Sequence, residues 1–451
     1  MVKTLTKKMD IVNGPLVPNI IMFAIPIALT SSLQQLFNAA DIIVCGKFVG
    51  SIALAAVGAN SQIINLFINS FLGLSIGANV MIAHYIGAGK TNKVHSIVQT
   101  SMTFAVVFGI SLMIIGLIFS KNILIFLGTP DEILKQATLY LRVIFIAIPS
   151  MVIYNFGAAI LRSIGDTKRP LIILTLTGVL NLIMNVIFVV FFNLGVAGVA
   201  IATAISNVVS AVIVVNLLIK EKSDIKYDIK EWVISIDALL KITRIGIPSA
   251  ISGMVFSISN LCVQSAINSL GTNTIAANTA ALNVESFTFY ITTAFSQACL
   301  TMMSQNYGAE NFERCKKVVL YCILLGMLFC GALIVVIEIF AKQFLLIFTN
   351  EMEVIKIAEV RLRIITALAF IQPIYEVYGS ALRVLKHPYI QTVAVILGIV
   401  VFRTTWVFTV FPLFSNYTTI CIVYPISWTI LIVFMFIAYR RVSVKMLVKN
   451  A

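Results

Sequence analysis

Residues 50–59 read Gly-Ser-Ile-Ala-Leu-Ala-Ala-Val-Gly-Ala, and residues 271–280 read Gly-Thr-Asn-Thr-Ile-Ala-Ala-Asn-Thr-Ala. They begin an internal repeat at an offset of about 221 residues, with eight identities in 39 aligned positions. The identities are Gly50, Ala55, Ala56, Ala59, Ser75, Met81, Gly87 and Ala88, which recur as Gly271, Ala276, Ala277, Ala280, Ser296, Met302, Gly308 and Ala309. At the same offset, Leu141-Arg142 and Leu161-Arg162 recur as Leu362-Arg363 and Leu382-Arg383. The repeat predicts a chain built as two similar halves.

Apolar runs of membrane-spanning length occur along the whole chain. Of the 451 residues, 60% are hydrophobic and 11% are charged, whereas soluble domains carry about 25% charged residues. A run of about 20 apolar residues crosses a hydrocarbon core of ~30 Å as a helix, since no water is there to hydrogen-bond the backbone. Twelve such spans are predicted, at residues 16–40, 52–82, 97–119, 134–161, 170–193, 196–219, 243–268, 275–304, 318–341, 357–382, 389–411 and 418–439.

The repeat and the spans together predict the architecture. Each half holds six spans and starts on the same side of the membrane, which makes the repeat a parallel one. We therefore predict an all-α membrane protein with twelve transmembrane helices in two pseudo-symmetric six-helix lobes around a central cavity. The predicted parts are an N-terminal lobe at 1–220, a cytoplasmic linker at 221–242 and a C-terminal lobe at 243–451. The first apolar run is too long for a cleavable signal peptide.

The positive charge of the chain, +14 in net, is distributed as in membrane proteins. Together with Arg244 at the start of the seventh span, the amino-terminal tail, the loops after even-numbered spans and the carboxyl-terminal tail hold 23 of the 32 Lys and Arg residues, including Lys3, Lys7 and Lys8. This bias predicts a multi-pass protein of the cell (inner) membrane with both termini in the cytoplasm, and it argues against nucleic acid as a partner. Seven scattered Cys and three distant His indicate neither a disulfide framework nor a metal site.

Asp41 is the acidic residue whose position relative to the predicted spans is most informative about function. Gln34, Asn38 and Asp41 follow each other at helical spacing and form one polar stripe on an otherwise apolar first span. The acid either reaches the outer headgroups from the end of that span or serves a function, because an ionisable group in hydrocarbon is costly. The repeat keeps the asparagine as Asn260 but has Val263 opposite Asp41. Since the acid is not duplicated, we favour the functional interpretation.

Ordered motifs along the chain resemble those of the multidrug and toxic compound extrusion (MATE) family. The motifs are Ile25-Pro26, Asn38-Ala-Ala-Asp41, Tyr85-Ile-Gly-Ala-Gly89, Leu161-Arg-Ser-Ile-Gly-Asp-Thr-Lys-Arg-Pro170, Asn181-x-x-x-Asn185, Gly246-Ile-Pro248, Ser304-Gln-Asn-Tyr-Gly-Ala309 and Ala381-Leu-Arg383. An aspartate late in the first span, with no acid near Phe256, looks more like the DinF-like branch. The resemblance implies a secondary antiporter, coupled to protons or sodium, that exports hydrophobic, often cationic drugs or toxic compounds. Its superfamily also contains flippases of lipid-linked oligosaccharide, which remain the alternative.

The resemblance also implies a cation or proton site in the first lobe. Relatives build it from positions that match Asp41, Tyr140, Asn155, Asn181, Asn185 and Thr203. Some relatives have an aspartate where this chain has Asn185, so Asp41 is the one carboxylate of the site here. We therefore favour the proton over sodium as the coupling ion. The alternative for the two asparagines and Thr203 is hydrogen bonding between helices alone.

In the second half, Glu376 stands at the repeat equivalent of Asn155. It either lines the substrate cavity or forms a buried structural pair with Arg403, its expected partner in the eleventh span. Glu285 in the eighth span is expected near Asn278 and Asn283. The predicted cavity residues are Gln34, Asn38, Glu285, Glu376 and Arg403.

Other functions find less support in the sequence. A flippase needs several cationic residues to hold a pyrophosphate, and Arg403 is the one arginine expected deep in the spans. A membrane enzyme needs a cluster of His and acidic residues, which the spans lack. Gly87-Ala-Gly-Lys-Thr91 resembles a nucleotide loop, but His84 replaces its first glycine and no strand precedes it. We expect a monomer whose partners are small-molecule substrates and membrane lipid, and we expect no cofactor and no nucleotide.

Overall fold

The structure, a computed structural model, describes residues 9–448, and the regular elements in this range are all helical. Lys3, Lys7 and Lys8 of the predicted basic tail lie outside the described residues. The helices of the first half are α1 (Leu16–Phe48), α2 (Ser51–Gly87), α3 (Thr91–Phe126), α4 (Asp131–Ser163), α5 (Lys168–Val186) and α6 (Gly195–Ile219). A π-helical segment, Ile187–Phe191, extends α5. These helices form six spans, as predicted.

The second half also forms six spans, two of them assembled from shorter pieces. Its helices are α7 (Ile236–Asn268), α8 (Thr272–Gly308), α9 (Phe312–Ile339), α10 (Ala341–Leu346), α11 (Met352–Arg361), α12 (Gln372–Val384), α13 (Pro388–Val395), α14 (Phe402–Thr409) and α15 (Tyr417–Val448). The tenth span joins α11 to α12 through a π-helical segment, Leu362–Thr366, and a short 3₁₀ turn, Ala369–Ile371. The eleventh joins α13 to α14 through a second such segment, Ile396–Val401. The twelve-helix prediction is confirmed.

Ten helices of the described range are long and apolar enough to cross a membrane by those properties alone. The exceptions among the twelve spans have physical causes. Helix α8 carries Glu285 and many buried Asn, Ser and Thr side chains, which lowers its hydropathy. The tenth span is divided near Thr366, so neither α11 nor α12 alone reaches a spanning length. Both were nevertheless predicted as spans from their apolar runs, at 275–304 and 357–382.

The helices extend beyond the apolar runs from which they were predicted. Helix α1 continues to Phe48 rather than ending near residue 40. Asp41 therefore lies inside the helix, whereas it was predicted at the helix end. Helix α7 begins at Ile236, within the stretch assigned to the linker. Polar residues at helix ends remain helical because the backbone hydrogen bonds continue past the hydrocarbon boundary. Apolar length therefore gives only a lower bound on helix length.

The chain divides into two compact units. Unit 1 contains Leu29–Gly246, and unit 2 contains Asp10–Ala28 together with the chain from Ile247 onward. The connecting stretch before α7 packs within unit 1. His95 Nε2 of α3 lies 2.9 Å from Glu231 Oε2, and the Ser235 N–H donates to Thr100 Oγ1 at 3.1 Å.

Close helix packing in unit 1 depends on glycine. A Cβ atom on Gly109 of α3 would lie 2.7 Å from Pro149 Cα of α4, and one on Gly116 would lie 2.0 Å from the Phe145 ring. Small residues allow such approach, which is how helices associate tightly in a membrane. Pro149 stands inside α4, where a proline bends a helix. These contacts hold α3 against α4.

Candidate ion and substrate sites

Asp41 is the acceptor at the centre of a hydrogen-bond network in unit 1. Asn185 Nδ2 of α5 donates to Asp41 Oδ1 at 2.5 Å. Thr203 Oγ1 of α6 lies 3.4 Å from Asp41 Oδ2. The carboxylate thus joins α1 to α5 and α6, and it does not extend away from the helix towards headgroups. This geometry favours the functional interpretation of Asp41.

Asn181 completes the network one turn before Asn185. In one orientation its amide accepts from Asn185 Nδ2 at 3.2 Å and donates to Thr203 Oγ1 at 3.3 Å. Rotated by half a turn, its nitrogen donates to Asp41 Oδ1 at 2.8 Å and its oxygen accepts from the Thr203 N–H. The buried Asn185 Oδ1 has no hydrogen-bond partner in the structure. The network therefore offers an unused oxygen acceptor beside a carboxylate.

Tyr140 and Asn155 relate differently to this network. Tyr140 of α4 is buried in a core cluster with Val44 and Cys45, one turn beyond Asp41 on α1. Its phenol lies within electrostatic range of the Asp41 carboxylate. Asn155 Nδ2 donates to Met151 O of its own helix at 2.8 Å, and no described hydrogen bond joins it to Asp41. The structure thus joins four of the six expected positions by hydrogen bonds, has Tyr140 in the core cluster near them, and leaves Asn155 apart.

The remaining polar residues of the α1 stripe lie on its surface. Gln34 and Asn38 are exposed, whereas Asp41 is partly buried. Nothing described joins Gln34 or Asn38 to the network, so their assignment to a substrate path stays a prediction.

Glu285 of unit 2 is paired with Arg361, which was not among the predicted site residues. Arg361 Nε donates to Glu285 Oε2 at 2.8 Å, and Arg361 Nη1 donates to Asn278 Oδ1 at 2.9 Å. Tyr417 Oη donates to the same Asn278 oxygen at 3.0 Å. Glu285 and Asn278 thus bind one guanidinium, and the assignment of Glu285 to the substrate cavity stays a prediction.

Arg403 does not pair with Glu376, so the expectation that these two form the buried pair is wrong. Arg403 Nε donates to Ser427 Oγ at 3.1 Å, and its guanidinium carbon lies 4.2 Å from the centre of the Tyr424 ring. Glu376 has no ion pair within 4 Å among the described residues. Helix α14 begins one residue before Arg403, after a π-helical segment that changes which face the following residues present. The sequence alone gave no means to place that change.

The statement that Arg403 is the one deep arginine is also wrong. Arg361 is 1% exposed and Arg403 is 0% exposed. Arg361 lies within the predicted tenth span, 357–382, but was not among the predicted site residues. The repeat held the signal, because Arg361 stands 221 residues after the buried Tyr140.

The sequence model of the MatE family matches residues 26–187 and 248–408. The chain belongs to the MatE family. The matched ranges fall one in each half, in agreement with the repeat. The resemblance stated from the motifs is confirmed, and the chain is a transporter rather than an enzyme. The DinF-like branch stays a prediction.

Several characterised relatives match most of the chain. A probable multidrug resistance protein, YoeA of Bacillus subtilis, is 29% identical over 78% of this chain and 77% of its own length. A probable multidrug resistance protein, NorM of Thermotoga maritima, is 29% identical over 81% and 79%. A solved structure described as an outward-facing multidrug resistance MATE family transporter of the MOP superfamily has a TM-score of 0.90 at 25% identity, covering 97% of this chain and 98% of its own. Together they establish a multi-pass membrane transporter with the twelve-helix fold.

Proposed function

We propose that this chain is a secondary antiporter of the cell membrane that exports small hydrophobic, often cationic compounds in exchange for a coupling cation. The names of its relatives, several of which are multidrug resistance or multidrug export proteins, support the substrate class. The Asp41 network of unit 1 is the observation that carries the proposal.

The network fits a proton-coupled cycle. A carboxylate inside a membrane helix must be neutralised, paired or hydrated, and Asp41 has hydrogen-bond donors but no cationic partner among the ion pairs of the described chain. Protonation removes its charge, and the Asn185 and Thr203 donors stabilise the charged form when the proton leaves. The protonated form carries no charge in the membrane, and the deprotonated form is stabilised by hydrogen bonds. Both forms of Asp41 can therefore exist there, as a group that gains and loses a proton requires.

Sodium is the alternative coupling ion. Hard cations prefer oxygen ligands, and Asp41, the unpaired Asn185 Oδ1 and Thr203 Oγ1 provide such atoms. We favour the proton because Asp41 is the one carboxylate of the network.

The coupling stoichiometry follows from charge. Exchange of one proton for one monovalent cation moves no net charge, so the membrane potential contributes nothing. With a neutral substrate, one charge moves inward per cycle, which adds ~2.3 kcal/mol per 100 mV. Neutral and cationic substrates should therefore differ in their response to the potential.

The test is Asp41→Asn in everted membrane vesicles that carry an imposed pH gradient. We expect loss of at least ~90% of the proton-driven uptake of a cationic dye, because the amide cannot titrate, as expected for an essential proton carrier. The matched control is Asp131→Asn, which removes an exposed acid from the first turn of α4. Wild-type uptake by Asp41→Asn at equal protein level would overturn the proposal. Uptake driven by a sodium gradient alone would replace the proton with sodium.

A flippase is not favoured by Arg361 and Arg403, the most deeply buried arginines of the described residues. A pyrophosphate needs cationic side chains that it can reach, whereas Arg361 and Arg403 are almost completely buried and Arg361 is already paired with Glu285.

A further inference from the structure

Unit 2 contains a buried group of side chains, here called the arginine cluster, that the proposed ion site does not use. It consists of Arg361, Arg403, Glu285 and Tyr424. Both guanidinium groups lie over the Tyr424 ring, with their carbon atoms 5.0 Å (Arg361) and 4.2 Å (Arg403) from its centre. The two carbons are therefore at most about 9 Å apart, and cation–π attraction to a shared ring holds them there.

The arginine cluster carries more positive than negative charge. Arg361 is neutralised by Glu285, at an Nε–Oε2 distance of 2.8 Å. Arg403 has no ion pair among the described residues, although it is 0% exposed. The charged and titratable groups in electrostatic range of Arg403 are Arg361, Glu285, Tyr375 and Tyr424. One positive charge thus remains without a counter-charge, an arrangement that is costly in a buried site.

The hydrogen-bond donors of the arginine cluster are also incompletely used. Nη1 and Nη2 of Arg403 are buried and have no acceptor, and the same holds for Nη2 of Arg361. The ring of Tyr424 covers a face of the Arg403 guanidinium, and Ser427 accepts only from its Nε. The free edge of a guanidinium matches an anion with two oxygens, which it binds by parallel hydrogen bonds.

The position of the arginine cluster in the repeat adds a second argument. Arg361 stands at the repeat equivalent of Tyr140, which neighbours Asp41 in unit 1. Arg403 lies in the span that corresponds to α5, the helix of Asn181 and Asn185. The repeated scaffold thus places an acid with amide donors in unit 1 and a guanidinium without a counter-charge, that of Arg403, in unit 2. The arrangement in unit 1 suits a cation site, and the arrangement in unit 2 suits an anion site.

We propose that the arginine cluster binds one small monovalent anion, best matched by a carboxylate group, at the free edges of Arg403 and Arg361. Such an anion supplies the missing charge and accepts from the unpaired Nη atoms at the ~2.8 Å typical of charge-assisted bonds. The carboxylate comes either from a free small anion or from a transported compound. The second source rests on the proposed export function.

The test compares the apparent melting temperature of purified protein in formate and in the bulky sulfonate HEPES. Both are supplied as N-methyl-D-glucamine salts at equal ionic strength, so that the sodium concentration does not change. A ligand that binds only the folded protein stabilises it by mass action. We expect saturating formate to raise the melting temperature of the wild type by ~2–5 °C.

Variants assign the effect to the arginine cluster. Arg403→Met removes the unpaired charge and should abolish the formate-dependent rise. Arg363→Met makes the same charge change at an arginine whose side chain is 74% exposed, and should keep the rise. If Arg403→Met does not fold, Arg403→Lys keeps the charge but lacks the planar fork, and should reduce the rise at least ~2-fold. Equal melting temperatures of the wild type in both salts, or an unchanged rise in Arg403→Met, would refute the proposal.

A pair of dyes distinguishes the two sources of the carboxylate. Rhodamine B carries a free carboxylate, and its ethyl ester does not. Stabilisation by formate but by neither dye assigns the site to a free anion. Stabilisation by rhodamine B that its ester lacks, and that Arg403→Met loses, assigns it to the carboxylate of a transported compound. The formate measurement needs no transport, so a failed export assay does not affect it.

Discussion

Two acids of unit 2 stand in different surroundings, and this difference determines what each can do. Glu285 accepts from Arg361 and holds a charge that is itself buried. Glu376 is partly exposed, and its backbone oxygen accepts from Ser296 Oγ at 3.1 Å. Arg383, on the same helix, is the cation that interacts electrostatically with the Glu376 carboxylate. Glu285 is therefore held in a buried ion pair, whereas contact between the Glu376 carboxylate and a substrate stays a prediction.

Substitution of each acid by glutamine should separate these roles. Glu285→Gln leaves a buried guanidinium unpaired, which typically costs ~3–5 kcal/mol, so its melting temperature should fall markedly. Glu376→Gln should melt close to the wild type and should lose export of cationic dyes while sparing neutral ones. Thermal scans and dye efflux of the two variants, at matched expression, measure both effects. An equal loss of stability in the two variants would contradict the assignment.

At this scale the sequence predicted the first-lobe network better than the second-lobe cluster. Helical spacing placed Asn181 and Asn185 on one face of a continuous helix, and the family resemblance grouped them with Asp41 and Thr203. Arg403 follows a π-helical segment, and a residue added to a helical turn rotates every later side chain. The neighbours of Arg403 could therefore not be predicted from helical spacing.

The three π-helical segments within residues 9–448 all adjoin the polar clusters. Ile187–Phe191 follows Asn185 closely, Leu362–Thr366 follows Arg361 directly, and Ile396–Val401 ends just before Arg403. Such segments are rare and occur frequently at functional sites, because they redirect side chains and loosen the backbone ladder. Their placement beside both clusters supports a functional role for the arginine cluster as well as for Asp41.

Glycine substitutions test how strictly the helices of unit 1 are packed. Gly109→Ala places a Cβ atom 2.7 Å from backbone Pro149 Cα, which cannot move independently of α4. We expect a loss of ~1–3 kcal/mol, as for overpacked cores, measured as a lower melting temperature. Gly331→Ala in α9 is the matched control, since nothing lies within 4 Å of its added Cβ. It should be neutral or slightly stabilising, because alanine favours the helix. A Gly109→Ala protein as stable as the control would show that α3 and α4 can separate.

The whole molecule is the scale at which the sequence was most informative. Twelve spans, two repeated halves and membership of the family all followed from apolar length, the 221-residue offset and ordered motifs. The apolar runs included α8 and the tenth span, although polar residues or a broken backbone weaken the hydropathy signal there. Helix ends were less well predicted, because hydrogen bonding continues beyond the apolar run. Charge bias gives the orientation, which the helices themselves do not record.

The orientation makes a prediction about which side of the membrane each loop faces. The basic linker should be cytoplasmic, since Lys and Arg near span ends are retained inside. Lys230 and Asn350 are exposed and lie in loops predicted on opposite sides. In intact cells, a membrane-impermeant maleimide should label Asn350→Cys and not Lys230→Cys, and in everted vesicles the pattern should reverse. The seven native cysteines give little background, because six are buried and Cys262 lies within α7. Labelling of Lys230→Cys in intact cells would place the linker outside and invert the direction assigned to export.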